Sequence, residues 1–352
     1  MDLPILGTGA HESQKSVQDI HAHQVLDMAG MVSQYFDIPY DHNHYNQRAI
    51  GICTAIDLCD MAEKIWGIPF SSRFTYIGGK QNYDGNMFEG SSNLTMLKFG
   101  KNFGFLPLSF DPTGNDCHGT FEQFVNAQYT PEQFAEASKY KLSGYALAPL
   151  DPVGFATTLQ KSKYGLLTRM AVGDNFYRPS WKKSDLELLK APSQVTGGHA
   201  IKVTGHTGLG NDQLRTLRNT WGGIGNPTTD DGTIWCDDGD IKYMYSTQQP
   251  YVTEAYIVFA EPMVFKHTFS TPILYGQTSP EVTALQRVLV GLGFLTMPQG
   301  VSFGYYGNLT AQAVLAFQRV NNVASEAELV VLAGKRVGLL TISALNKIQG
   351  IV

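Results

Sequence analysis

Residues 46–56 read NQRAIGICTAI, which places Gln47 six positions ahead of Cys53 and Cys53 at the head of an apolar-periodic stretch. A cysteine attacks a carbonyl carbon as its thiolate, and a helix N-terminus and a nearby imidazolium each stabilise that anion. Nucleophilic catalysis also needs a base, a group that orients the base, and donors for an oxyanion. The chain offers nine histidines. Of these, His199 lies in TGGHAIKVTG and enters a strand-like run after two glycines, where another backbone can come close. Asn219, in RNTWGG, closes the next strand-like run. His199 follows Cys53 by 146 residues and Asn219 follows it by 166. A Cys, a His and an Asn gathered by folding can share the roles of nucleophile, base and orienter. Taken singly, each has a plainer reading: Cys53 as a buried structural thiol, His199 as a satisfied strand histidine, Gln47 as an amide notable only for its offset from Cys53.

These residues must be positioned by the elements around them. From 52 to 66 apolar residues recur at 52, 55, 56, 59, 62, 65 and 66, the pattern of a helix with a wide buried face, and Gly67 followed by Ile68-Pro69 ends it. Further helices are expected at 92–102, at 130–140 with Pro131 and Glu132 in its first turn, and at 151–163, with a loop over 80–94 and a strand over 165–176. Residues 12–35 carry apolar positions at mixed spacing and are expected to form one or two short helices. From 197 onward the runs HAIKVTGHT, QLRTLRNTWG, GTIWCDDGDIKYMYS and EAYIVFAEP are β-branched or aromatic and separated by glycine-rich turns. Helices first and a sheet second indicate an α+β fold. Residues 262–280 carry three prolines and read as a linker before two amphipathic runs, VTALQRVLVGLGF and TAQAVLAFQRVN, and a weaker third, TISALNKIQ.

The bulk numbers narrow the function classes. The chain has 352 residues, 43% hydrophobic and 16% charged, with a net charge of −5, which suits two globular domains. No block of Lys or Arg stands out, so neither a nucleic-acid partner nor an anionic membrane surface is expected. Cys53, Cys59, Cys117 and Cys236 form no CxxC pair, so a zinc ribbon and a disulfide scaffold are both disfavoured and no cofactor or metal is expected. Cys59 reads as core on the same helix as Cys53, and Cys117 beside His118 as a loop thiol. The HAH at 21–23 and HNH at 42–44 read as solvated histidines, and the acidic stretch 230–240 as turns between strands, since it lacks calcium-loop spacing. MDLPILGTGAHESQ lacks the basic and apolar regions of a secretion signal, and no run approaches the ~20 apolar residues of a membrane span.

Residues ~37–262 resemble a papain-like cysteine peptidase, on three stretches. Asn46-Gln47 to Cys53-Thr-Ala resembles the family's segment from oxyanion-hole Gln to nucleophilic Cys. Gly198-His199-Ala200 resembles its catalytic His strand, and Asn219-Thr220-Trp221-Gly222 its Asn-Ser-Trp-Gly segment. The resemblance implies Cys53 as nucleophile, His199 as general base and acid, Asn219 as orienter and Trp221 as a shield over that pair. Gln47 and the Cys53 N–H would hold the oxyanion. Where the family commonly reads Cys-Gly-Ser-Cys-Trp, this chain has Ile50-Gly51-Ile52-Cys53-Thr54, a form similar to bacterial or viral members. Too few residues precede Cys53 for the family's usual prodomain, so residues 1–36 are expected to be a helical extension serving as a small cap or docking arm.

The last 75 residues resemble a small three-helix peptidoglycan-binding domain. The matching positions are Val282, Leu285, Gln286, Gly307, Thr310, Ala313, Val314, Phe317, Gln318, Val337, Gly338, Thr341 and Leu345, with Thr310 and Thr341 expected as N-caps. The intervening NNVASEAELVVLAGK is longer than usual for the family. The expected architecture is therefore a papain-like two-lobed fold over 37–262 (helical lobe plus β-barrel-like lobe), a linker over 263–277 and the three-helix domain over 278–352. The expected function is a cysteine peptidase or wall amidase whose substrate is peptide or peptidoglycan and whose partner is the bacterial cell wall. A phage virion or tail protein that keeps the fold as scaffold, with other virion proteins as partners, is the alternative, and a self-processing or virion-maturation protease a third. The expected location is a phage virion or the host wall reached without a secretion signal, and otherwise the cytoplasm.

Overall fold

The structure, a computed structural model, describes residues 9–14, 19–26, 28–29, 32–40, 45–173, 194–207, 209, 214–220, 233–237, 252–260, 267–298 and 301–349. The chain divides into two compact units: the residues up to 22 with Met28–Glu261, and Pro262–Val352 with His23–Asp27.

Strand β1 (Ala10–His11) opens the described chain. The helices expected over 12–35 do not occur among the described residues there, which hold a 3-10 turn at Ala22–Gln24 and strand β2 (Tyr35–Asp37). The irregular apolar spacing never builds one helical face, and the backbone bonds to neighbouring strands instead. Helix α1 (Cys53–Trp66) follows as expected and ends at Gly67, whose positive φ of 71° closes the last turn through an N–H bond to Glu63 O. The stretch that follows departs from expectation within the loop expected over 80–94, which holds a π turn and a two-residue strand. Helix α2 (Ser72–Gly79) starts at Ser71, whose side chain accepts from Phe74 N, and it runs on into a π turn at Lys80–Asp84. Strand β3 (Ser91–Ser92) leads into α3 (Asn93–Asn102), capped by Ser92. The short α4 (Phe121–Val125) and then α5 (Pro131–Ala137) each begin with a Thr–Gln capping box.

Strand β4 (Gly144–Leu147) and helix α6 (Pro152–Lys161) lead into the sheet strands β5 (Leu166–Gly173), β6 (Val195–Thr207), β7 (Leu214–Arg218), β8 (Thr233–Asp237) and β9 (Val252–Phe259). The sheet runs β4-β9-β5-β6-β7-β8, with β2 also on β6, and every one of these pairs is antiparallel. The lobe expected to be barrel-like is thus an open path with β4 and β8 at its ends among the described residues. Helix α1 is buried on nearly all sides. Ile52 at its N-cap and Ile56, Leu58 and Met61 along it pack with Tyr76, Leu97 and Phe105 on the helical side and with Leu167 and Tyr256 from the sheet. At about 1.5–3 kcal/mol for each large apolar side chain fully buried, this contact fixes where α1 begins, and so where Cys53 sits.

The second unit contains β10 (Ile273–Leu274), α7 (Pro280–Gly291), α8 (Asn308–Val320), α9 (Glu326–Leu332), β11 (Arg336–Val337) and α10 (Leu339–Ile348). Its described residues hold four helices where three were expected, because the long intervening segment forms α9 on a Ser325–Glu328 capping box. The described part of the expected linker belongs to this unit: β10 pairs antiparallel with β11, and buried Phe269 donates its N–H to Asn346 Oδ1 at 2.9 Å. Thr310 and Thr341 are not N-caps, since Gly307 and Gly338 hold those positions without side-chain bonds. Each threonine hydroxyl instead accepts from a buried glutamine of an earlier helix, Gln286 Nε2 of α7 to Thr310 at 2.8 Å and Gln318 Nε2 of α8 to Thr341 at 2.9 Å. Among the described residues no helix is long and apolar enough to cross a membrane.

Candidate active site

Cys53 is the first residue of α1, and no side chain caps that helix end. The first-turn N–H groups and the positive end of the helix dipole therefore bear on its sulfur. Cys53 Sγ also accepts the Ala200 N–H at 3.3 Å, across 147 residues of sequence. The strand that delivers this N–H is β6, where Ala200 follows His199.

His199 Nε2 lies 2.8 Å from Asn219 Oδ1. That same oxygen accepts the Thr220 backbone N–H at 2.8 Å, which identifies it as the amide oxygen. An amide oxygen only accepts, so Nε2 carries the ring proton and Nδ1 is the basic nitrogen. Asn219 comes to the ring because β7 lies beside β6 and ends one residue earlier, at Arg218.

Gln47 is fully buried. Its Nε2 donates to Ile50 O at 3.0 Å, its Oε1 accepts the Thr220 hydroxyl at 2.6 Å, and its backbone N–H donates to Thr220 O at 2.9 Å. Thr220 therefore joins the Asn219 amide bonded to the His199 ring to the Gln47 amide expected in the oxyanion hole, a link the sequence reading missed. Its signal was available: a hydroxyl residue between Asn219 and Trp221. Glu89 was also missed, and it accepts the Gly51 N–H on the turn before Cys53. The structure brings Cys53, Ala200, His199, Asn219, Thr220 and Gln47 into one constellation; Trp221 lies outside the described residues. Cys59 is core on α1, and Cys117 is a buried loop thiol. His21 is exposed, as expected, whereas His42 and His44 lie outside the described residues.

Cys53 and His199 are both fully covered. The cover is the segment beginning at Gly9. Gly9 O accepts Ser91 N at 2.7 Å, β1 pairs in parallel with β3, and Ala10 O accepts Arg169 Nε at 2.9 Å. Ala10, Cys53 and Ala200 form one buried cluster. Gly198 has no side chain for a close-packing reason: a Cβ there would stand 2.1 Å from Ala10 O. Further along, Ser13 N donates to Glu254 Oε2 at 3.2 Å and Ser13 Oγ accepts Leu94 N at 3.3 Å.

The cover sets the ionisation of the pair. Burial pushes the Cys53 thiol up to about 11, with Asp57 adding to the rise, against the N–H groups of Ala200, Gly9 and Thr54. Burial likewise pushes His199 down to about 4, its bond to Asn219 opposing and Lys202 adding to the fall. Thiol and imidazole are both neutral in this covered state. Among the described residues no group of His, Cys, Asp and Glu could hold a metal ion.

The first unit has the papain-like fold. It is similar to the crystal structure of xylellain, a cysteine protease from Xylella fastidiosa, at a TM-score of 0.59 and 18% identity over 74% of this chain and 98% of that one. It is also similar to procathepsin B from Trypanosoma congolense, at a TM-score of 0.51 and 14% identity over 72% and 87% of the two chains. Residues 278–325 match the family model of a putative peptidoglycan binding domain. No protein of curated function matches the sequence.

Proposed function

We propose that this chain is a cysteine peptidase that hydrolyses peptide bonds with Cys53, His199, Asn219 and Gln47 and is directed to the bacterial cell wall by its C-terminal unit. The observation that carries the reading is the convergence of an N–H on Cys53 Sγ at 3.3 Å with an amide oxygen on the ring of the adjacent His199 at 2.8 Å. In the uncovered site, His199 Nδ1 takes the thiol proton and the sulfur attacks the substrate carbonyl carbon. The carbonyl oxygen becomes an oxyanion, for which Gln47 Nε2 and the Cys53 N–H are the donors. The His199 imidazolium then protonates the leaving amine. Water, deprotonated at Nδ1, releases the acyl group from sulfur and restores the thiol. Asn219 keeps the proton on Nε2 throughout.

Wall targeting rests on the match at 278–325. It places the enzyme at a concentration near peptide substrate that affinity of the active site alone would not supply. Incubating the chain with purified murein sacculi and, separately, with casein tests the reading. Release of new amino termini from either, lost in Cys53→Ala, is expected; equal release by Cys53→Ala overturns it. The full burial of Cys53 favours one further reading, a protein that keeps the fold as a scaffold without catalysis. That reading predicts no release from either substrate even after residues 1–13 are removed.

A further inference from the structure

Four charged side chains outside the reacting set tie together the three segments that carry it. Asp57 and Asp60 stand one and two turns beyond Cys53 and share its face of α1. Lys202 is three residues beyond His199 on β6, and Arg218 immediately precedes Asn219 on β7. All four are buried, none more than 4% exposed. Lys202 Nζ bridges Asp57 Oδ1 at 2.8 Å and Asp60 Oδ2 at 2.7 Å, and Arg218 holds both oxygens of Asp60, Nε at 3.0 Å and Nη2 at 3.3 Å. The Arg218 guanidinium lies over the Tyr40 ring at 4.4 Å, a ring that Lys202 and Lys64 also approach.

The strand register explains why the carboxylates are needed. Lys202 and Arg218 are directly paired across β6 and β7, which sets two cations side by side. Like charges in such a pair repel. Asp57 and Asp60 neutralise them, and so α1 docks on the sheet through directional bonds as well as apolar contact. Stability alone does not account for this choice, because a buried ion pair replaced by apolar groups of similar volume is often no less stable. Apolar packing leaves a helix some freedom to slide along a sheet; four fixed bonds do not.

We infer that Asp57, Asp60, Lys202 and Arg218 are a positioning cluster that sets Cys53 Sγ against the His199 imidazole; the inference rests on the peptidase reading above. A purely electrostatic role would have the opposite signature. Asp57 holds the Cys53 thiol up and Lys202 holds His199 down, so both charges work against the thiolate–imidazolium pair. Burial also pushes the Asp57 carboxyl up, against the pull of Lys202.

The test compares two reagents on the full-length chain. Iodoacetamide needs only the thiolate: a carbon–sulfur bond forms and iodide leaves. A peptidyl epoxide needs the geometry as well, because the sulfur opens the ring while the His199 imidazolium protonates the departing oxygen. Since both must wait for the cover to open, the ratio of the two rates cancels it. Asp57→Leu combined with Lys202→Met is expected to keep the thermal midpoint and lower the epoxide-to-iodoacetamide ratio by roughly tenfold to a hundredfold, the scale of an ångström-sized misplacement. Lys202→Arg, which keeps the charge, is expected to retain most of the ratio. A folded double variant with the ratio of the unmodified chain overturns the inference. Should the double variant not fold, Asp57→Glu decides: it keeps the charge and moves it by one methylene, and an unchanged ratio there overturns the inference equally. If the unmodified chain itself shows no preference for the epoxide, the peptidase reading has failed, and not this one alone.

Discussion

Arg169 is the clearest handle on the covered state. Its Nε donates to Ala10 O at 2.9 Å, a charge-assisted bond to the backbone of the segment that lies on Cys53. Arg169→Met keeps most of the aliphatic stem and deletes that bond. Hydrogen bonds to charged groups contribute about 1.5–3 kcal/mol. At about 1.4 kcal/mol per factor of ten, the uncovered population should rise roughly ten- to hundredfold. The cover is anchored elsewhere by Ser91 N on Gly9 O and by the Ser13 contacts with Glu254 and Leu94, so it should loosen without leaving altogether. The assay is the rate of Cys53 alkylation by iodoacetamide under conditions where opening precedes reaction, followed by intact mass. The variant should react faster than the unmodified chain, and a chain lacking residues 1–13 faster still. If removal of residues 1–13 leaves the rate unchanged, residues 9–13 do not shield the sulfur and the reasoning is refuted. If only Arg169→Met leaves it unchanged, the anchor lies at the other contacts.

Other consequences follow from the same geometry. The His199 pKa is about 4 because of burial, below its ordinary 6.5, so an opened form binds the proton more tightly than the covered one. The stability this gives the cover is present above pH 6.5 and lost as the pH falls toward 4, with His11, also lowered by burial, acting in the same direction. Amide exchange of residues 9–13, corrected for its intrinsic pH dependence, should lose protection between pH 7 and 5, and lose less in His199→Gln; equal loss in both contradicts this. Thr220→Val removes the donor to Gln47 Oε1 and should slow peptide hydrolysis by about 1–2 kcal/mol of barrier while leaving Cys53 alkylation unchanged, with Thr220→Ser restoring hydrolysis. Gln318→Leu removes the donor to Thr341 and to Arg336 O and should destabilise the C-terminal unit by about 1–3 kcal/mol, read as a lower thermal midpoint and weaker retention on sacculi.

Much of the site was legible because its chemistry needs particular residue types in particular neighbourhoods. The six-residue offset of Gln47 from Cys53 and the glycines before His199 pointed to residues that the fold places within bonding reach of one another or of their immediate neighbours. Helix α1 was legible from its apolar period, and α7, α8 and α10 likewise. What escaped had no periodic signature. A two-residue strand at Ala10–His11 has no pattern to read, and its pairing with Ser91–Ser92 is set by tertiary contact. Helix α2 ends in Gly78-Gly79, residues of low helix propensity that mask it in the sequence; Gly78 is there because α3 packs so close that a Cβ would stand 2.1 Å from the Phe99 ring. Asp57, Asp60, Lys202 and Arg218 sit on three separate elements, and only their convergence shows them to be buried partners. Thr310 and Thr341 looked like caps from their place before apolar runs, but the glycines three residues earlier start those helices and free the hydroxyls for Gln286 and Gln318.

On the reading proposed here, Cys53 acts as a nucleophile with His199 as its proton partner. Peptide mapping after exposure of the chain lacking residues 1–13 to a peptidyl epoxide tests it most directly. One adduct is expected, on Cys53, formed rapidly near neutral pH and nearly abolished in His199→Ala. Absence of an adduct on Cys53, or one that forms as fast in His199→Ala, would contradict it.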